Sequence, residues 1–350
     1  MDRADLRQRV QKELSAFLAR QAPVLDGVSE ELGVLTDALA DLVSGGKRLR
    51  PAFCYWGYRG AGGEDSDAVV TAATALELFQ ACALIHDDVM DGSDTRRGMP
   101  AAHRRFASLH RSEGWHGDPE AFGTGAAILL GDLCLSWSDA MLAEAGLPTE
   151  GLLRAKPVFD LMRTELMGGQ YLDLLEQARG GGSVTRALRV VDFKSAKYTI
   201  ERPLLLGAAM AGGGPGVTAA YSGYGLPLGE AFQLRDDVLG VFGDPRETGK
   251  PAGDDLREGK RTVLIALALE RTTPGQAALV RRHLGDPRLS PEGVAALREV
   301  ITETGALAKT ERMIRELTGR ALAALESAPL QAEACDVLGE LAEAATARSV

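Results

Sequence analysis

Cysteine is scarce in this 350-residue chain, with only Cys54, Cys82, Cys134 and Cys335, widely spaced and with no CxxC pair or Cys/His metal spacing among them. That excludes a disulfide framework and a structural zinc site, and it fits a reducing cytoplasm, the expected location. Positive charge is in deficit: the net charge is -10 and the sequence pI is near 5.2, so no nucleic-acid partner is expected. The stretch Met1 to Leu14 is rich in charge and lacks the apolar core of a signal peptide, and no run reaches the roughly 18 apolar residues of a membrane span. Also missing are an alternating strand series, an internal repeat and any compositional shift that would mark a boundary. One domain over residues 1–350 is therefore expected.

Helical periodicity fills the chain instead. Apolar residues recur at helical spacing in Ala68 to Leu84, Ala126 to Ala145, Leu152 to Leu175, Tyr221 to Leu239 and Val294 to Leu325. Glycine clusters interrupt the pattern at Gly60 to Gly63, Gly180 to Gly182 and Gly212 to Gly216. Ser290 before Pro291 reads as an N-cap, and so does Thr149. Hydrophobic residues at 45% and charged residues at 25% complete the signature of a globular all-α chain of ten or more helices. The charge-poor middle helices should form the centre of a single large bundle able to hold a cavity.

Two acidic clusters end long apolar stretches about 150 residues apart: Asp87-Asp88-Val89-Met90-Asp91, and Asp236-Asp237 within Phe232 to Asp237. On a helix, Asp87 and Asp91 share a face and can aim oxygens at one point, with Asp88 flanking them. Like charges so placed repel, and a hard divalent ion such as Mg2+ removes the penalty while keeping sites for water and phosphate.

Basic groups lie near both clusters. Arg96 and Arg97 follow the first on a Gly/Pro turn, where they can either pair with the carboxylates or grip diphosphate oxygens with their planar forks. Gly45-Gly46-Lys47-Arg48-Leu49-Arg50-Pro51 is either a solvated charge run or a loop that closes around phosphate. Lys250 and Lys260 lie beyond the second cluster on a Gly/Pro-rich loop, and Lys194 and Lys197, at i,i+3 spacing, could offer a further cation from one face. Two carboxylate walls, bound cations and basic groups around an apolar interior suit a substrate with a diphosphate head and a hydrocarbon tail.

In four segments, Gly45 to Pro51, Asp87 to Pro100, Gly169 to Leu174 and Phe232 to Thr262, taken in that order, the chain resembles the trans-prenyl diphosphate synthases of the polyprenyl synthetase family, and most of all the geranylgeranyl diphosphate synthases. The resemblance covers nearly the whole chain and implies an isoprenoid-synthase bundle and a homodimer. It implies that Asp87 and Asp91 ligate two Mg2+ ions and Asp236 a third, with Asp88 and Asp237 supporting. It further assigns Lys47, Arg50 and Arg97 to isopentenyl diphosphate, and Arg96, Lys250, Lys260 and Gln233 to the allylic diphosphate. Lys194 and Ser195 match a Lys-Thr pair, with Lys197 near enough to leave the register open. The implied catalytic set is Asp87, Asp88, Asp91, Asp236, Lys194 and Lys250.

Three positions depart from the family pattern. Gly240 stands where a third aspartate often lies, so Asp244 or water would have to compensate; Gln80 replaces a frequent histidine and could still bind diphosphate; Ser195 replaces threonine and keeps the hydroxyl. The growing tail should run along the helix before Asp87, past Ala83, Cys82, Phe79 and Leu76, with Phe79 as the floor. That arrangement points to a C20 product, with farnesyl or longer products as alternatives. A terpene cyclase and a non-catalytic partner subunit are further alternatives, opposed by Asp236-Asp237 and by the intact basic set.

Overall fold

The computed structural model describes residues 4–243 and 253–346. Its elements run α1 (Leu6–Asp26), a short 3-10 turn (Glu30–Leu32), α2 (Gly33–Val43), α3 (Leu49–Gly60), α4 (Asp67–Asp91), β1 (Thr95–Arg96), β2 (Met99–Pro100), α5 (Ala102–Ser112), α6 (Pro119–Ala143), α7 (Thr149–Ala178), α8 (Val184–Val190), a π-helix (Val191–Glu201), α9 (Arg202–Ala211) and α10 (Pro215–Phe242). Then come α11 (Asp254–Glu258), α12 (Val263–Leu269), α13 (Pro274–His283), α14 (Pro291–Glu303), α15 (Ala306–Glu326) and α16 (Ala332–Thr346).

The middle helix α4 begins at Ser66, whose hydroxyl accepts from Val69 N, and ends at Gly92 with φ 66°. Between these ends it is buried on most sides, chiefly against α6, with α3 and α1 also packed on it. Residues such as Leu76, Leu78 and Phe79 lose nearly all contact with water, each contributing about 1.5–3 kcal/mol of burial. The other long axis is α10, which packs against α15 and the π-helix. It runs through two apolar cores: Tyr221, Tyr224 and Leu228 belong to the one around α4, and Leu234, Val238 and Val241 to the one formed with α8 and α11–α15. The two acidic clusters thus lie in the last turns of the two helices that organise the bundle.

Several expectations need correction. The periodic stretch Val294 to Leu325 is two helices, because Gly305 breaks it with φ 75°. Thr149 is the first helical residue after Pro148 and makes no capping bond, whereas Ser290 does cap, accepting from Gly293 N. Strands are present: Thr95–Arg96 pairs antiparallel with Met99–Pro100, and the turn residues Arg97 and Gly98 both have positive φ, 54° and 76°, as a tight hairpin requires. Finally, α4 and α6 are each long and apolar enough by length and composition to cross a membrane, although 72% of that window in α4 is buried inside the bundle.

Candidate active site

The last turn of α4 puts three carboxylates where the helix dipole is already negative, which adds to the cost of their mutual repulsion. Each meets a different environment. Asp88 is buried and taken up by Arg96, whose Nε donates at 2.9 Å and whose Nη2 makes a second contact with the same carboxylate. Arg96 therefore pairs with the first wall, reached from β1, and Asp88 serves to hold it. Asp87 Oδ1 accepts from Gln170 Nε2 at 2.8 Å and from Lys194 Nζ at 3.1 Å. Burial opposes its charge, but Lys194 and Lys260 outweigh it and hold the carboxyl below the usual range. Asp91 has a side chain only 3% exposed and neither oxygen has a hydrogen-bond donor. Burial and the neighbouring Asp87 push it up to about 6.

Lys194 comes from the π-helix, a winding with i→i+5 bonds that is rare and frequent at functional sites. Its ammonium also lies 2.7 Å from Asp173 Oδ2 on α7. Lys197 goes elsewhere, to Glu165 Oε1 at 2.7 Å beside Arg202. The wider π winding turns less per residue than an α-helix, so residues three apart fall further short of a full turn and the two lysines do not share a face. The same winding brings Ser195 Oγ to Gln233 Oε1 at 2.5 Å, while Gln233 Nε2 donates to Asp237 Oδ1 at 2.8 Å.

On the second wall, Asp237 is buried, its Oδ2 has no hydrogen-bond partner, and burial and nearby Asp255 and Asp236 push it up to about 7 despite Gln233. Asp236 is half-buried beside it. Arg235 points away, gripping Glu311 with both terminal nitrogens. Position 240 has no side chain, and a Cβ placed there would lie 1.8 Å from Asp255 Oδ2 on α11. Lys260 joins the walls: its Nζ is 2.8 Å from Glu258 Oε2, 3.6 Å from Asp91 Oδ2 and 3.7 Å from Asp255 Oδ1. These carboxylates raise its pKa well above the ordinary lysine value although burial works against the charge. Lys250 and Asp244 lie outside the described residues.

The Gly45 to Pro51 loop is knitted to α4 and the hairpin. Gly46 has φ 120°, and a Cβ on it would lie 3.1 Å from Arg97 Nη2, so the arginine can lie across the loop and donate to Leu42 O and Gly45 O. Arg48 is buried in a left-handed conformation, φ 55°, bonded to Glu77 of α4. That anchor leaves Lys47 exposed and directs Arg50 inward, where its guanidinium sits 4.2 Å from the centroid of Tyr198 and donates to Thr199 Oγ1. Tyr198 in turn donates to Gln80 Oε1 at 2.6 Å and meets Phe79 edge to face at 5.5 Å. A hydrogen-bonded and stacked path therefore runs from the basic loop to the apolar helix.

Of the four residues expected along the tail, Leu76, Phe79 and Cys82 are buried and Ala83 is half-buried. Phe79 faces Phe159 of α7 as well as Tyr198, while Cys82 Sγ lies 3.8 Å from His86 Nδ1, whose ring reaches Ile128 O on α6. The sequence reading assigned no role to Gln170, Asp173, Tyr198, Asp255 or Glu258. Gln170 and Asp173 sit inside the quoted segment Gly169 to Leu174, which was the available signal for them.

Among the described residues no three His, Cys, Asp or Glu side chains converge tightly enough to cage a metal unaided. Mg2+ does not need such a cage, because it takes one or two carboxylates and fills its octahedron with water and phosphate oxygen. The buried, donor-free oxygens of Asp91 and Asp237 fit that demand.

Residues 33–302 match the family described as polyprenyl synthetase. Over 324 residues the chain is 32% identical to a geranylfarnesyl diphosphate synthase of Aeropyrum pernix, covering 91% of this chain and 95% of that one. It is 30% identical to an octaprenyl diphosphate synthase of Escherichia coli, with 88% of each covered. Among solved structures it is similar to a geranylgeranyl pyrophosphate synthase from Corynebacterium glutamicum complexed with isoprenyl diphosphate and magnesium, with 44% identity, a TM-score of 0.96 and 100% of both chains covered.

Proposed function

The chain belongs to the polyprenyl synthetase family and is a prenyl diphosphate synthase; we propose that it adds isopentenyl diphosphate head to tail to an allylic diphosphate and that its main product is C20 geranylgeranyl diphosphate. The observation that carries this reading is the pairing of two carboxylate walls with cations already in position, Lys194 on Asp87 and Lys260 next to Asp91 and Asp255.

The family is Mg2+-dependent, and we assign the metal to Asp87, Asp91 and Asp236, three ions per site, where it would neutralise the leaving diphosphate so that the allylic C–O bond can ionise. Lys194 and Lys260 add fixed positive charge where negative charge develops on the departing oxygen, and being preorganised they need no rearrangement as the bond breaks. Lys47, Arg50 and Arg97 hold the second diphosphate, Arg50 braced from behind by Tyr198 and Thr199. The isopentenyl double bond then supplies the electron pair of the new C–C bond, and a proton leaves to the nearby diphosphate. Buried apolar walls keep water from the cation. Phe79, backed by Phe159 and Tyr198, sets the floor for the tail.

We further assign a homodimer and a cytoplasmic location. Large apolar side chains stand exposed on α6 and α7, among them Ile128, Leu129, Leu153, Leu161 and Met167, and Asp139 of α6 ties the two helices together through Arg163 at 3.0 Å. A second copy of the chain would cover that face.

The test incubates the purified chain with Mg2+, labelled isopentenyl diphosphate and, separately, C5, C10 and C15 allylic diphosphates, then sizes the dephosphorylated products. Linear products ending at C20 support the reading. A longer ladder removes the chain-length assignment, and no incorporation from any primer removes the function.

A further inference from the structure

Glu77 lies in the middle of α4, ten residues before Asp87, with a side chain only 6% exposed. A carboxylate buried there needs a partner, and it has one in Arg48, whose Nη1 donates to Glu77 Oε2. That guanidinium is spent on the fold. Its Nη2 gives both hydrogens away, to Gln11 Oε1 of α1 at 2.6 Å and to Val43 O at the end of α2. With a side chain 4% exposed, Arg48 is an anchor that joins α1, α2 and α4 rather than a group offered to substrate.

What the anchor holds is the start of α3. Arg48 has φ 55°, a left-handed conformation unusual for arginine, which persists only where the surroundings over-determine it. Lys47 precedes it directly and Arg50 lies in the first turn of α3, so the direction of both follows from residue 48. Arg97 is tied to the same frame through Leu42 O, one residue before Val43, and through Gly45 O. Three residues after Glu77, Gln80 accepts from Tyr198, over whose ring Arg50 lies. One face of α4 therefore fixes the basic loop at two points. Charge acts together with geometry: burial and the guanidiniums of Arg48, Arg96 and Arg50 lower the Arg97 pKa, and Glu77 opposes them.

We infer that Glu77 is a positioning residue for the isopentenyl diphosphate site: through Arg48 it sets the basic loop so that Lys47, Arg50 and Arg97 meet one diphosphate. The inference rests on the prenyl diphosphate synthase reading and adds to it a residue that touches no substrate. Glu77 also supplies a fixed negative charge to crowded guanidiniums before that diphosphate arrives. The two substrates should feel its loss unequally, because the allylic diphosphate is assigned to the metal, Lys194 and Lys260.

The test measures the KM for each substrate on the full-length chain with Mg2+, the other substrate being saturating. Glu77→Gln keeps the shape of the side chain and removes its charge. It is expected to raise the KM for isopentenyl diphosphate about 10- to 100-fold, and to move kcat and the allylic KM far less. Because Glu77→Gln leaves Arg48 buried and uncompensated, a second variant, Arg48→Met with Glu77→Leu, replaces the pair by apolar side chains. It should melt as a folded protein and still show the raised KM. Gln11→Ala, which removes one acceptor of the same guanidinium, should raise that KM about 3- to 10-fold. A parent-like KM for isopentenyl diphosphate in a folded Glu77 variant or in Gln11→Ala, or an equal rise in both KM values, would overturn the inference and leave the function standing. A parent chain that incorporates no isopentenyl diphosphate would overturn both.

Discussion

Lys194 Nζ lies 3.1 Å from Asp87 Oδ1, and the same ammonium is held from the other side by Asp173 Oδ2 at 2.7 Å. This cation at the first acidic wall is therefore fixed before any substrate arrives. Replacing Lys194 by Met should lower kcat by about 100- to 1000-fold, the usual cost of losing one preorganised donor to developing negative charge. Lys197→Met should cost far less, since Lys197 serves Glu165. Steady-state kinetics on the two variants compares them, and equal losses would refute the assignment.

Phe79 is the second point of leverage. Wedged between Phe159 and Tyr198, it is 1% exposed, so Phe79→Ala should cost about 3–5 kcal/mol of stability and open the path below it. Products longer than those of the parent are expected. Thermal melting and product sizing on one preparation check both effects, and Phe79→Leu, a milder truncation, should move each in the same direction by less.

The raised carboxyls give the metal-free protein a particular pH dependence. Asp91 is pushed up to about 6 and Asp237 to about 7, both by burial first and by neighbouring carboxylates second. Between the unfolded carboxylate range of about 4 and these folded values, the native chain binds more protons than the unfolded one, so its stability falls as pH rises. Asp87, held low, is already ionised over that window and contributes little change. Melting in chelator should therefore occur at lower temperature at pH 8 than at pH 5.5. Adding Mg2+ with diphosphate should stabilise more at the higher pH.

The exposed apolar face of α6 and α7 predicts assembly. Leu129 is 63% exposed and Leu153 69%. Leu129→Asp should leave the fold intact and convert a dimer to monomer in analytical ultracentrifugation, whereas a parent that already sediments as a monomer would dismiss the assignment.

Much of the bundle was legible because apolar spacing is a local signal, and the two acidic clusters stood out because carboxylates at the ends of apolar helices need a reason. What escaped depends on contacts across the fold. No periodicity announces that Val191–Glu201 winds as a π-helix, so Lys194 and Lys197 read as one face when they are two. That the hairpin returns Arg96 to Asp88 is likewise a contact no sequence pattern announces. Gly240 read as a loss, since the sequence holds no trace of Asp255 lying against it from the next helix.

The most direct test of the central claim is a stoichiometry. With Mg2+, an allylic diphosphate and isopentenyl diphosphate, the diphosphate released should equal the C5 units added, one for one, and release should nearly stop when isopentenyl diphosphate is left out. Rapid diphosphate release without isopentenyl diphosphate, accompanied by hydrocarbon or alcohol products, would contradict the account and identify a cyclase instead.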